Sequence, residues 1–179
     1  MWLLENHSDV LTAEQLYDQA EELREKARYR EAIATYQKAL KALGNRDLLG
    51  RLRIQKGMAD CYRMVGDFEA AERFYREALR AAERLGDDLE RADCLVGIGL
   101  SQRARGMLDE AQDNFQRALW DFFKKSKSSL VEGPFRLKEC HFRLYRYLIE
   151  GGDERELEEI GRTYRQLGSR FLLFKPSLH

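Results

Sequence analysis

Phe68-Glu-Ala-Ala-Glu-Arg-Phe-Tyr-Arg-Glu-Ala-Leu79 carries the pattern that decides the fold. Ala71 is followed four positions later by an aromatic, Tyr75, and then by Ala78 and Leu79. The same order stands upstream in Arg30-Glu-Ala-Ile-Ala-Thr-Tyr-Gln-Lys-Ala-Leu40, with Ala32, Tyr36 and Ala39. It recurs downstream in Leu108-Asp-Glu-Ala-Gln-Asp-Asn-Phe-Gln-Arg-Ala-Leu119, with Ala111, Phe115 and Ala118. The leading alanines are 39 and 40 residues apart. Each triplet falls on one face of a helix. A fixed period of this size predicts stacked helical hairpins, each covering its apolar face with the next. The fold class is therefore all-α, a solenoid.

The flanking sequence punctuates that pattern. Thr12-Ala-Glu-Gln15 predicts a capping box that opens the first helix, with Leu16, Ala20, Leu23 and Ala27 on one face. A turn near Arg28-Tyr29-Arg30 leads to a second helix at about 31–43, stopped at Gly44-Asn45. Further helices are expected at about 47–64, 68–85, 88–105 and 108–125, with Gly66-Asp67, Gly86-Asp87 and Gly106 between them. Lys124, Lys125 and Lys127 end a helix where cations complement its dipole. The longest irregular stretch runs to Glu132-Gly-Pro134, and Pro134 is suited to start a helix. Helices at about 135–149 and 154–167, split by Gly151-Gly152-Asp153, give a fourth hairpin. No run reads as a strand. One domain is expected over about 12–167, with units at about 13–46, 47–87, 88–125 and 134–167; residues 1–11 form an extension and 168–179 a tail.

Composition narrows the function. The chain has 179 residues, with 31 basic and 31 acidic side chains and hence no net charge. Nucleic acid and anionic membrane both call for a basic excess, so neither is expected as a general partner. No apolar run approaches the ~18 residues of a membrane span. Met1-Trp-Leu-Leu-Glu-Asn-His lacks the basic region of a signal peptide. Cys61, Cys94 and Cys140 are odd in number, lie within helical patterns and lack metal-ligand spacing. They read as reduced, buried thiols of a cytoplasmic protein. No catalytic set, metal site or cofactor is expected. His7, His141 and His179 are scattered, and adjacent Glu139-Cys140-His141 point in different directions on a helix. Trp120, Phe122 and Phe123 are expected to pack against the fourth hairpin.

The aligned units resemble the tetratricopeptide repeat family over about 13–123, with a degenerate unit to about 167. The family's small position in the first helix falls on Ala20, Ala59 and Gly99. Its small positions in the second helix are the two alanines of each triplet, and its turn residue falls on Ala27, Gly66 and Gly106. Its large turn residue falls on Tyr29, Phe68 and Leu108. Helices approach to ~8–9 Å only where small side chains meet, and the aromatic fills the gap to the next hairpin. Gly44, Glu83 and Phe123 replace the family's terminal proline. The period exceeds the common 34 residues by about five or six. In this it is similar to the repeats of kinesin light chain and of MalT-type bacterial regulators. Leu157 and Tyr145 stand near small positions of the fourth unit, so that unit reads as a cap. The resemblance implies a right-handed α-solenoid of three hairpins plus a degenerate fourth, capping hairpin.

The resemblance also implies that first helices line a concave groove. Its residues would be Glu14, Tyr17, Glu21 and Arg24, then Arg53, Lys56, Asp60 and Arg63, then Asp93, Val96, Leu100 and Arg103. Arg24, Arg63 and Arg103 share one unit position. They form either a ladder for a partner's carboxylates or arginines paired with neighbours such as Glu21 and Asp60. Arg143 lies 40 residues beyond Arg103, in a helix of different register. The five positions of the family's chaperone-tail clamp fall on Tyr17, Glu21, Gly57, Asp93 and Gly97, none of which matches, so that function is not expected. The expected function is a non-enzymatic adaptor that binds a protein or peptide in the groove through Tyr17, Arg24, Arg53, Lys56, Arg63, Val96, Leu100 and Arg103. The alternatives are a regulatory sensor domain acting in trans and a scaffold that self-associates through the apolar tail Phe171-Leu-Leu-Phe174.

Overall fold

The computed structural model describes residues 11–127, 143–144 and 146–166. Its helices are α1 (Ala13–Glu25), α2 (Tyr29–Leu43), α3 (Leu48–Met64), α4 (Phe68–Leu85), α5 (Asp88–Ala104), α6 (Leu108–Lys127) and α7 (Glu154–Gln166). Residues 143–144 and 146–150 are helical as well. Consecutive helices pack as antiparallel hairpins, and no strand occurs among the described residues. The architecture is the expected right-handed, all-α solenoid.

Caps account for the helix starts. The Thr12 capping box is complete: Gln15 N donates to Thr12 Oγ1 at 3.2 Å and Thr12 N to Gln15 Oε1 at 2.9 Å. Asp47, Asp67, Asp87 and Asp153 each accept from backbone N–H groups at the opening of the helix that follows. Such bonds satisfy donors that a helix leaves unpaired. The helix stops also follow one rule. Within the first three hairpins the turn residue takes a positive φ: Ala27 at 57°, Gly66 at 86° and Gly106 at 80°. The next amide then closes onto the preceding helix, as Arg28 N does on Leu23 O at 2.9 Å. This turn ends α1 at Glu25 and starts α2 at Tyr29, two residues before the expected 31.

The triplet residues form the core. Ala32, Ala39, Ala71, Ala78 and Ala118 are fully buried, as are Ala20 and Ala59 on the facing helices. Tyr36, Tyr75 and Phe115 are the largest buried side chains of the described residues. Tyr36 and Tyr75 span the gap between units, as the pattern predicts. A Cβ on Gly57 would lie 2.5 Å from Tyr36 Cζ, and one on Gly97 2.4 Å from Tyr75 Cε1. Phe115 instead presses on Gly99 of its own hairpin.

The fourth hairpin closes the far end. Leu144 and Ile160 are buried in one cluster with Val96, Leu100 and Phe115. Leu157 joins its margin, where the repeat would carry a small residue. Trp120 departs from expectation: it is 64% exposed. On the α6 wheel it lies opposite Ala111, Phe115 and Ala118, the face that packs. His7, Pro134, Glu139, Cys140, His141, Phe171–Phe174 and His179 lie outside the described residues, as do the side chains of Phe122 and Phe123.

Candidate functional site

The hairpins set α1, α3 and α5 side by side, and side chains from adjacent units bond directly. Arg24 on α1 donates to Asp60 Oδ2 on α3 at 3.0 Å and to Glu21 Oε2 at 2.6 Å. Asp60 also accepts from the Tyr75 hydroxyl, and Glu21 accepts from the Tyr36 hydroxyl. Arg63 Nε reaches Tyr75 OH at 3.4 Å. Lys56 on α3 donates to Asp93 at 2.6 Å and Glu90 at 2.7 Å, both on α5. A polar seam therefore binds the first three units together along their first helices.

The electrostatics follow from this pairing. Burial alone would lower the Arg24 and Lys56 pKa values. Asp60, Tyr36 and Glu21 outweigh it for Arg24, as Asp93 and Glu90 do for Lys56, and both stay charged above their usual ranges. Burial pushes the Asp93 carboxyl up to about 6 although Lys56 pulls it back. Burial also raises the Cys61 thiol to about 12 and lifts Cys94 further, so neither is a reactive thiolate. Both cysteines are unbridged.

Several expected groove residues are largely buried or paired within the chain. Arg24 and Arg63 were expected on the surface; both are 7% exposed. Arg24 takes the very partners, Glu21 and Asp60, that the paired reading names. Val96 and Leu100 were expected to hold a partner's apolar side chain. They are buried, in one cluster with Leu144 and Ile160 of the fourth hairpin. Lys56 is mostly withdrawn into its two ion pairs. Arg143 pairs with Glu159 at 3.1 Å and adds nothing to the ladder. Of the expected set, Arg53 is exposed, and Tyr17, Lys56 and Arg103 are half-buried, Lys56 with its ammonium held in ion pairs. Tyr17 lies against Tyr36 with ring centroids 6.1 Å apart. The Arg103 guanidinium lies 5.8 Å over the Phe115 ring. At the clamp positions, the Gly57 and Gly97 surfaces are occupied by the Tyr36 and Tyr75 rings.

The tyrosine hydroxyls and Glu90 are members of the polar seam that residue patterns did not single out. A signal for the hydroxyls was present. Units one and two pair an acid with a tyrosine, Glu21 with Tyr36 and Asp60 with Tyr75. Unit three replaces both at once, with Leu100 and Phe115. The third arginine therefore meets no carboxylate of its own unit. Burial and the nearby Arg63 lower the Arg103 pKa, against an upward pull from Tyr147.

Paired helices in a repeating array, sealed at one end, define a helical-repeat scaffold. The tetratricopeptide repeat profile matches residues 23–84 and 50–119, together more than half of the chain. The chain belongs to the tetratricopeptide repeat family, whose members generally mediate protein–protein interaction and are generally non-enzymatic. Solved structures match as well. One is the crystal structure of BtubC (BKLC) from P. vanneervenii, with a TM-score of 0.62 and 18% identity, covering 87% of this chain and 63% of that one. That likeness is one of fold, and this chain spans under two thirds of the other's length. No curated protein sequence matches the chain. Among the described residues no helix is long and apolar enough to cross a membrane.

Proposed function

We propose that the chain is an adaptor that holds a peptide or helix of a partner protein against the first-helix face, with Tyr17, Arg53 and Arg103 as its contacts. The observation that carries this reading is Arg103. Arg24 is neutralised across the unit boundary by Asp60. Arg103 has Leu100 where units one and two place a carboxylate, and among the described residues it shows no ion pair or hydrogen bond. An acidic side chain of a partner would complete that third rung by bidentate pairing. Apolar grip would come from Tyr17 rather than Val96 and Leu100. The buried thiols of Cys61 and Cys94 suit the cytoplasm.

The test begins with capture of partners by the tagged chain and their identification by mass spectrometry. The partner is then titrated against wild type, Arg53→Glu and Arg103→Gln. Binding should weaken about tenfold or more, about 1.4 kcal/mol, with melting unchanged for Arg53→Glu. Wild-type affinity in both variants sinks the groove reading. A transcription or signalling assembly as the captured partner turns the adaptor into the sensor acting in trans.

A further inference from the structure

A second surface lies on α4. At ~100° per residue, Arg73, Arg76, Arg80 and Arg84 fall in one stripe, opposite the buried Ala71, Tyr75, Ala78 and Ala82. All four are exposed. The repeat does not require this stripe: the equivalent face of α2 carries Ala34, Gln37 and Lys41, and that of α6 carries Asp113, Gln116 and Trp120. The stripe borders a cleft of about 350 Å³ whose lining includes Arg73, Arg76, Arg80 and Arg105.

The cleft's carboxylates are engaged within the chain. Glu72 accepts from Arg76 and Arg105, Glu69 pairs with Arg105, and Glu77 accepts from Gln55 at 3.0 Å. Arg73 lies 5.3 Å over its neighbour Phe74 and forms no ion pair. Among the described residues, Arg80 and Arg84 show no hydrogen bond or ion pair. Arg73 to Arg84 spans about 16 Å of helix, about three turns. Forty residues after Arg80, on the same face of the next second helix, stands Trp120, 64% exposed. Arginine and tryptophan are the residue types that dominate binding energy at interfaces.

We infer that this α4–α6 face is a second docking surface, separate from the first-helix groove, for an acidic amphipathic helix of a partner protein. Its carboxylates would meet Arg73, Arg80 and Arg84 while an apolar side chain covers Trp120. Glu69, Glu72 and Glu77 line the same cleft. They oppose a continuous run of phosphates, which favours nucleic acid less than discrete, spaced carboxylates.

The test uses a synthetic helical peptide with glutamates spaced three and four residues apart on one face and a leucine beside them. Trp2→Phe leaves Trp120 as the sole tryptophan. Titration should give a saturable blue shift of Trp120 emission. Arg73→Glu with Arg80→Glu should weaken binding about tenfold or more, and Trp120→Ala should weaken it similarly when read by peptide anisotropy. Arg53→Glu, on the other face, should leave it within about twofold. Circular dichroism checks that the variants fold. The inference is overturned by the absence of saturable binding, by wild-type affinity in the Arg73→Glu/Arg80→Glu variant, by loss of binding in Arg53→Glu, or by a single-stranded oligonucleotide binding more tightly than the peptide.

Discussion

At the residue scale, the joint between units is a tyrosine ring laid on a glycine. Gly97 has no room for a methyl group, since its Cβ would sit 2.4 Å from the Tyr75 ring, and Tyr75 is 1% exposed and tied by its hydroxyl to Asp60. Helix propensity alone would make Gly97→Ala stabilising by about 1 kcal/mol. Overpacking of a closed core costs about 1–3 kcal/mol or more and should win. Gly97→Ala is therefore expected to lose about 1–2 kcal/mol in urea denaturation, and equal or greater stability would mean that the ring yields. The triplets that place these rings were legible, because small and aromatic residues at fixed offsets encode packing directly. The depth of the arginines was not. A helical wheel gives the direction of Arg24 and Arg63, but their 7% exposure arises from tyrosines 12 residues further along the chain, whose hydroxyls engage the same carboxylates. Nor does a wheel show the burial of Val96 and Leu100 in a cluster that includes Leu144 and Ile160, remote in sequence.

At the element scale, two joints can be tested separately. The first is the turn between α1 and α2. Ala27 holds φ 57° where the equivalent residues, Gly66 and Gly106, are glycine. A left-handed conformation is costly for alanine and free for glycine. Ala27→Gly should stabilise by about 0.5–1 kcal/mol, raising the melting temperature by about 1–4 °C; no rise would show that the turn carries no strain. The second joint is α3 against α5, where Lys56 bridges Glu90 and Asp93 while Asp60 lies near enough to Asp93, and Cys94 to Lys56, to be felt. The folded Asp93 carboxyl, at about 6, sits above its ordinary 3.8, so the folded state favours the neutral form. The resulting stabilisation is fully present below about pH 4 and is lost as pH rises through about 6. With the side chain 13% exposed, the effect is at most about 3 kcal/mol. Wild-type stability minus that of Asp93→Asn, measured by denaturation across this window, should fall as pH rises. A flat difference would assign the pH dependence elsewhere.

At the scale of the whole molecule, a solenoid needs ends that do not invite further stacking. The described C-terminal end is covered by the fourth hairpin, whose Leu144 and Ile160 share a cluster with Val96, Leu100 and Phe115 while Tyr147, Leu148 and Leu157 pack at its margin. Leu157, which weakens the repeat pattern in this hairpin, thus packs where the stack is sealed. A chain ending at Lys127 would uncover that cluster while keeping α1–α6, the seam of Arg24, Asp60 and Lys56, and the α4 arginines. Exposed apolar surface of this kind drives association. The truncated chain should remain helical by circular dichroism but self-associate in sedimentation and melt below the full chain. Adding Val96→Gln and Leu100→Gln to the truncation should restore the monomer, because water rather than hairpin then faces those positions. The same two substitutions in the full chain should destabilise it, since they would bury amides without partners against Leu144, at roughly 1–3 kcal/mol for each unpaired group. Opposite signs of one double substitution in the two chains would identify the fourth hairpin as a cap. A truncated chain that stays monomeric and melts like the full chain would assign the hairpin another role.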